Sequence, residues 1–237
     1  MRILIVDQCS SAKKGTDRYK VLGQETINSE SRRDLLKRDG IASYRAKDLY
    51  EGRQQQRITQ AQEILKDAGD EVDRVFISAG FGIVGEEEEL PLYDVTFADM
   101  NVAEIDSRAT ELGIREDIRE LVVSGDYDII FFALGSDYYR SIRLDELLPD
   151  VSEKTFIVLF NREELEQEYD NGLSLRARTT QAKKYGTIVI ALKGEYLYNF
   201  ATHRISGKSV NEVNDIQRYC KEGISSQAGL DNYSNNS

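Results

Sequence analysis

Two kinds of apolar pattern divide this chain. Residues 3–6, 75–77, 129–134 and 155–160 are short runs of Ile, Val, Leu, Phe and Ala with almost no polar interruption. Such runs are expected of strands buried on both faces of a parallel sheet. Residues 187–192 look the same and predict a fifth strand. Elsewhere apolar residues recur every third or fourth position. Ile58, Ala61, Ile64, Leu65 and Ala68 give an amphipathic helix over 54–68 that stops at Gly69, and Ala109, Leu112, Ile118, Leu121 and Val122 give one over 105–123. Weaker helical patterns cover 31–38 (Ser31 as cap, Gly40 as end), 142–148, most of 163–184 with a break at Asn171-Gly172, and 211–220. Tyr196, Tyr198 and Phe200 alternate, which predicts a β extension over 193–203.

Strands alternating with helices predict an α/β fold: three layers, with a mostly parallel central sheet of about five strands and helices on both faces. One such domain is expected over 1–224, its first β-α-β unit interrupted by a charged insertion at 16–57. Residues 225–237, rich in Ser, Asn and Gly, read as a disordered tail.

Composition narrows the functional classes. At 237 residues and 40% hydrophobic the chain is long enough for one sizeable core. It has no apolar run of about 18 residues, so no membrane-spanning helix is expected. The opening run 3–6 is ended by Asp7, too short for a signal-peptide core, which predicts a soluble, cytoplasmic protein. Cys9 and Cys220 lie at opposite ends, and His203 is the single histidine. That leaves no disulfide framework and no metal spacing, so neither metal nor cofactor is expected. A lone histidine near a terminus reads as structural. Net charge is −11, which argues against general affinity for nucleic acid. Residues 11–57, however, hold twelve Lys and Arg against seven Asp and Glu, a balance of +5 that leaves −16 for the rest. This asymmetry predicts a local anion-facing surface.

Candidate chemistry gathers where the strands end, because ligands of open α/β sheets bind outside the carboxyl ends. The first run leads into Asp7-Gln8-Cys9-Ser10-Ser11-Ala12-Lys13-Lys14, a loop with a carboxylate, a thiol, hydroxyls and two ammonium groups. It lacks the Gly-x-x-x-x-Gly-Lys order of a phosphate loop. The second leads into Ser78-Ala79-Gly80-Phe81-Gly82, then Glu86 to Glu89, which must face solvent, and Tyr93-Asp94. The third leads into Gly135-Ser136-Asp137-Tyr138-Tyr139.

Five segments carry a family resemblance: Q-C-S-S-A-K-K at 8–14, R-A-K-D-L-Y-E-G at 45–52, F-I-S-A-G-F-G-I-V at 76–84, L-P-L-Y-D-V-T-F at 90–97 and G-S-D-Y-Y at 135–139. Their order resembles an uncharacterised α/β family that opens with a Cys-Ser-Lys-x-Lys loop. That family is distantly similar to the YaaA-type peroxide-stress proteins, which bind DNA, and in layout to uracil-DNA glycosylases. The chain departs from the family at Gly80, where the family has a lysine, and at Gly135-Ser136-Asp137, where it has Gly-Lys-Lys. Residues and resemblance together predict an enzyme acting on a nucleotide or on a base in nucleic acid, by glycosidic-bond hydrolysis or base modification. Asp7, Cys9 and Asp94 are the catalytic candidates, with Asp48 a further carboxylate beside the substrate. Tyr50, Phe81 and Tyr93 would stack on a base, and Lys13, Lys14 and Arg45 would hold phosphate. Ser10, Ser78, Gly80, Gly82, Gly135, Tyr138 and Tyr139 complete the expected substrate rim. Two alternatives are a non-catalytic DNA- or RNA-binding stress-response protein and a nucleotide-sensing or protein-interaction module.

Overall fold

The computed structural model describes residues 1–223; the expected tail lies outside them. The strands are Arg2–Gln8 (β1), Ser43–Arg45 (β2), Glu71–Ser78 (β3), Gly82–Gly85 (β4), Glu89–Pro91 (β5), Ile129–Phe132 (β6), Phe156–Phe160 (β7) and Gly172–Leu175 (β8). The helices are Gln24–Ser29 (α1), Arg32–Leu35 (α2), Ala46–Leu49 (α3), Arg53–Asp67 (α4), Val102–Glu111 (α5), Ile114–Ser124 (α6), Ser136–Ser141 (α7), Leu144–Leu147 (α8), Thr179–Lys184 (α9), Leu192–Ile205 (α10) and Val213–Lys221 (α11). A six-stranded sheet runs in the order β4-β3-β1-β6-β7-β8, with β2 and β5 paired separately. All neighbours in the large sheet are parallel except β3 and β4.

The continuous apolar runs are continuous because each strand feeds two cores. On β1, Leu4 and Val6 face α5, α6 and α7, while Ile3 and Ile5 face α4, α10 and α11. On β6, Ile130 and Phe132 go one way and Ile129 and Phe131 the other. All eight are at most 1% exposed, and burying each contributes about 1.5–3 kcal/mol. The expected three layers are present. The insertion at 16–57 packs Leu22, Ile27, Leu35, Ala46 and Leu49 into the first of these cores.

Four expectations need correcting. The fifth parallel strand is Gly172–Leu175, not 187–192. It hid inside a segment read as helical because it is only four residues long, with Leu173 and Leu175 inward. Residues 187–192 follow a turn at Gly186 (φ +60°) and leave Ile188, Val189 and Ile190 exposed. The alternating aromatics at 196–200 lie on helix α10. Tyr196 and Phe200 share its buried face, and Tyr198 points out beneath the Arg57 guanidinium, 3.3 Å from its ring. Finally, 105–123 is two helices, broken at Gly113 (φ +64°).

Candidate functional site

The sheet order places the end of β1 between two neighbours reached in opposite directions: β3 on one side, β6 on the other. The gap between β1 and β6 is therefore the topological switch point, where a ligand crevice is expected. Gln8 bridges it, its Oε1 accepting a hydrogen bond from the Gly135 amide at 2.6 Å. Asp7 follows the alternation of Ile3 and Ile5 and turns toward α4, whereas Cys9, just past the strand, leaves that alternation and joins the core on the opposite side.

On the Cys9 side a buried cluster of thiol, phenol and hydroxyl groups forms. Cys9 is 3% exposed, and its Sγ lies 3.0 Å from the Tyr138 hydroxyl. The Ser78 Oγ accepts from the amides of Gly80 (3.2 Å) and Phe81 (3.0 Å). Its own proton is then free for the Tyr93 hydroxyl at 2.7 Å, and the Tyr93 and Tyr50 hydroxyls are hydrogen-bonded to each other at 2.7 Å. Burial, first of all, pushes the phenols of Tyr50, Tyr93 and Tyr138 far above their ordinary values, so all three stay protonated. Gly80 is required here, since an added Cβ would stand 2.7 Å from the Tyr93 ring.

Lys13 closes the cluster. It is 4% exposed, its Nζ sits 4.7 Å from the Tyr93 ring centroid, and it makes no hydrogen bond. Desolvation lowers its pKa, against the pull of Cys9 and Asp94. The loop carrying it is strapped to the segment around Tyr50 by Lys14 N–H to the Leu49 carbonyl (2.9 Å) and Glu51 N–H to the Ala12 carbonyl (3.0 Å). Buried polar groups are nearly always hydrogen-bonded, and a charge left alone is more costly still. An ammonium held in this way is unfinished chemistry.

Asp94 also lines a groove of about 300 Å³, together with Thr96, Asp99, Glu104, Arg108 and Glu111 among others. The single guanidinium is already committed. Arg108 is 4% exposed and donates to the carbonyls of Ala79 (2.8 Å) and Gly80 (3.1 Å) and to Asn28 Oδ1 (2.6 Å). It thereby pins the Ser78–Gly82 loop to α5. The groove's free charge is negative, and exposed Asp94 belongs both to it and to the surroundings of Lys13. Arg108 and Glu104 were not legible beforehand. On a helix in one dimension they look like ordinary surface charge.

The expected site residues fare differently. Cys9, Lys13, Tyr50, Ser78, Tyr93 and Tyr138 come together, with Phe81 edge-on to Tyr93 at 5.0 Å and Asp94 at the groove. Asp7 is separated from them. Fully buried, it accepts from Arg74 (2.7 Å), Gln54 (2.7 Å), Gln55 (3.3 Å) and the Gln8 amide (2.8 Å), so its lone pairs are spent. Tyr139 is also spent, donating to the Phe132 carbonyl and accepting from the Phe160 amide. Ser10 accepts from the Ala12 amide near Gly52, and Gly135 caps α7. Gly82 takes a left-handed turn (φ +78°) against the Leu112 carbonyl. Asp48 and Lys14 are exposed, Lys14 over the Tyr44 ring.

Part of the expected anion-facing surface is covered by three of the four glutamates. Arg45 and Lys47 both pair with Glu87, Arg32 pairs with Glu88, and Lys66 with Glu86. The antiparallel pairing of β2 with β5 brings these residues alongside one another. Arg32, Arg45 and Lys47 of the basic segment are thus neutralised by an acidic run far from them in sequence. The second basic group is treated likewise, since Arg176 and Arg178 share Glu163. His203 stacks on Tyr219 at 4.8 Å and meets the Glu222 carbonyl through Nε2, an anchoring role. Among the described residues no group of three or more His, Cys, Asp or Glu could hold a metal ion, and no helix is long and apolar enough to cross a membrane.

Comparison of the chain with protein-family models, curated proteins and solved structures finds no match.

Proposed function

We propose that this protein is an enzyme that cleaves the glycosidic bond between a sugar and a nucleobase, with the substrate seated in the groove between Asp94 and α5. The observation that carries the reading is the unpartnered, buried ammonium of Lys13 under the influence of Asp94, which lines the groove together with Asp99, Glu104 and Glu111. Breaking the C1′–N bond separates charge in this same sense. The sugar becomes oxocarbenium-like and positive, and the departing base becomes negative. Carboxylates at Asp94, Asp99 and Glu104 stabilise the first, and a nearby cation stabilises the second. Water then supplies a hydroxyl to C1′ and a proton to the base nitrogen. Asp94, exposed in the groove, is the residue to activate that water.

The five segments that carry the family resemblance each contribute to this cluster: Cys9 and Lys13, Tyr50, Ser78, Tyr93, and Tyr138. Their convergence supports the resemblance as a working proposal. The DNA- or RNA-binding alternative is less well supported, because Arg32, Arg45, Lys47, Arg176 and Arg178, among the cations it would use, are paired with Glu87, Glu88 and Glu163. A small nucleoside or nucleotide suits the groove better than a polyanion. The test is incubation with a panel of nucleosides, nucleotides and oligonucleotides, followed by mass spectrometry for free base. Release by wild type and its loss in Asp94→Asn are expected. No release from any member would overturn the reading and leave a binding or sensing role.

A further inference from the structure

The groove beside α5 holds about 300 Å³, at the small end of ligand sites, and its walls are unevenly charged. Asp94, Asp99, Glu104 and Glu111 line it against a single guanidinium, Arg108. Two of these carboxylates are partly occupied. Glu111 meets Arg108 at 3.3 Å and accepts from the Ser107 hydroxyl at 3.2 Å. Glu104 accepts from the Asn101 amide at 2.7 Å, which closes the capping box of α5. Asp94 and Asp99 are exposed to the groove and form no ion pair among the described residues.

The cations nearby cannot offset an anion brought into this space. Arg108 is 4% exposed, and its donors are spent on the carbonyls of Ala79 and Gly80 and on Asn28, so turning it outward would release the Ser78–Gly82 loop. Lys13 is equally buried, lies over the Tyr93 ring and is not among the residues lining the groove. Three further guanidiniums, of Arg140, Arg143 and Arg162, line a different groove between α7, α8 and the end of β7.

We propose that the Asp94 groove admits free nucleosides and rejects their phosphorylated forms. This rests on the proposed glycosidic function and names its substrate class. A phosphate monoester carries close to two negative charges at neutral pH, and beside unpaired carboxylates with no free cation each of those charges is repelled. A free sugar is neutral and brings hydroxyl donors to carboxylates that lack them, so its hydrogen bonds are charge-assisted. Because the carboxylates are exposed, the repulsion acts through water and is screened by salt.

The test compares the four common ribonucleosides with their 5′-monophosphates at about 0.01 M and about 1 M salt. Base release is measured as kcat/KM by mass spectrometry, and binding of the intact compounds by saturation-transfer NMR. Wild type, Asp99→Asn and Glu111→Gln are assayed side by side. At low salt wild type should favour nucleosides by at least about tenfold in both readouts. The preference should shrink at high salt, and by about threefold in each variant, which removes one charge from the wall. Monophosphates cleaved as well as nucleosides, or a preference that neither salt nor the variants move, overturn the inference and keep the glycosidic reading. Salt-sensitive preference in binding with no base released from any compound keeps the selection and overturns that reading. Neither binding nor release by any compound overturns both.

Discussion

Asp7 and Cys9 are two residues apart at the end of one strand, and the polar clusters built around them are opposites. On the Asp7 side a carboxylate meets four donors, one of them a fully buried guanidinium. That guanidinium also donates to the Thr59 hydroxyl and the Gln55 carbonyl and lies over the Phe76 ring. On the Cys9 side an ammonium of similar burial meets an aromatic face and nothing that accepts a hydrogen bond. A buried charge joined to its counter-ion holds the fold together, although one Arg74 N–H, at Nε, has no acceptor. A buried charge whose partners are missing costs stability and persists where a ligand completes it.

The comparison is broken most violently at Arg74. Arg74→Met leaves Asp7 charged, buried and unpaired, and should cost about 3–5 kcal/mol in denaturant unfolding. A loss under about 1 kcal/mol would mean that the pair is not what closes this side. Next comes Asp94→Asn, expected to cut base release by about 10²–10⁴-fold. Unfolding should stay within about 0.5 kcal/mol of wild type, because Asp94 is an exposed residue.

Acid sensitivity sharpens the contrast at a third place. Desolvation raises the Asp70 pKa, but hydrogen bonds from Arg204 and the terminal ammonium outweigh it, leaving the carboxyl below its ordinary value. A lowered folded pKa gives stability that is present above the unfolded pKa and lost as pH falls through the folded one. Asp70→Asn should therefore destabilise at neutral pH and flatten the stability profile below about pH 4. An unchanged acid limb would contradict that assignment. The smallest effect is expected at Glu87→Gln, where an exposed pair is lost and the melting temperature should not move measurably.

Much of the fold was legible because its strands are buried on both faces, so their sequence shows as unbroken apolar runs. Ile3 to Val6 and Ile129 to Phe132 needed no context. The edge did: Gly172–Leu175 is short and carries Ser174 between its leucines, while the longer apolar run at 187–192 lies outside the sheet. The rim was legible at Cys9, Ser78, Tyr93 and Tyr138, because polar residues directly after buried strands have few places to go. What the chain could not announce was pairing at a distance. Glu87 pairs with cations 40 or so residues earlier, and Arg204 on α10 pairs with Asp70, 134 residues before it. Such pairings depend on which elements become neighbours, and single-chain periodicity does not encode that.

The most direct test of the account is Lys13→Met, measured at once for unfolding free energy and for base release. The side chain is of similar size and apolar, so the substitution removes the unpartnered charge without opening a cavity. Stability equal to wild type, or higher by about 1–3 kcal/mol, together with lost base release, is the predicted result. A protein destabilised by several kcal/mol that still releases base at the wild-type rate would contradict it: Lys13 would then be part of the scaffold, as Arg74 is.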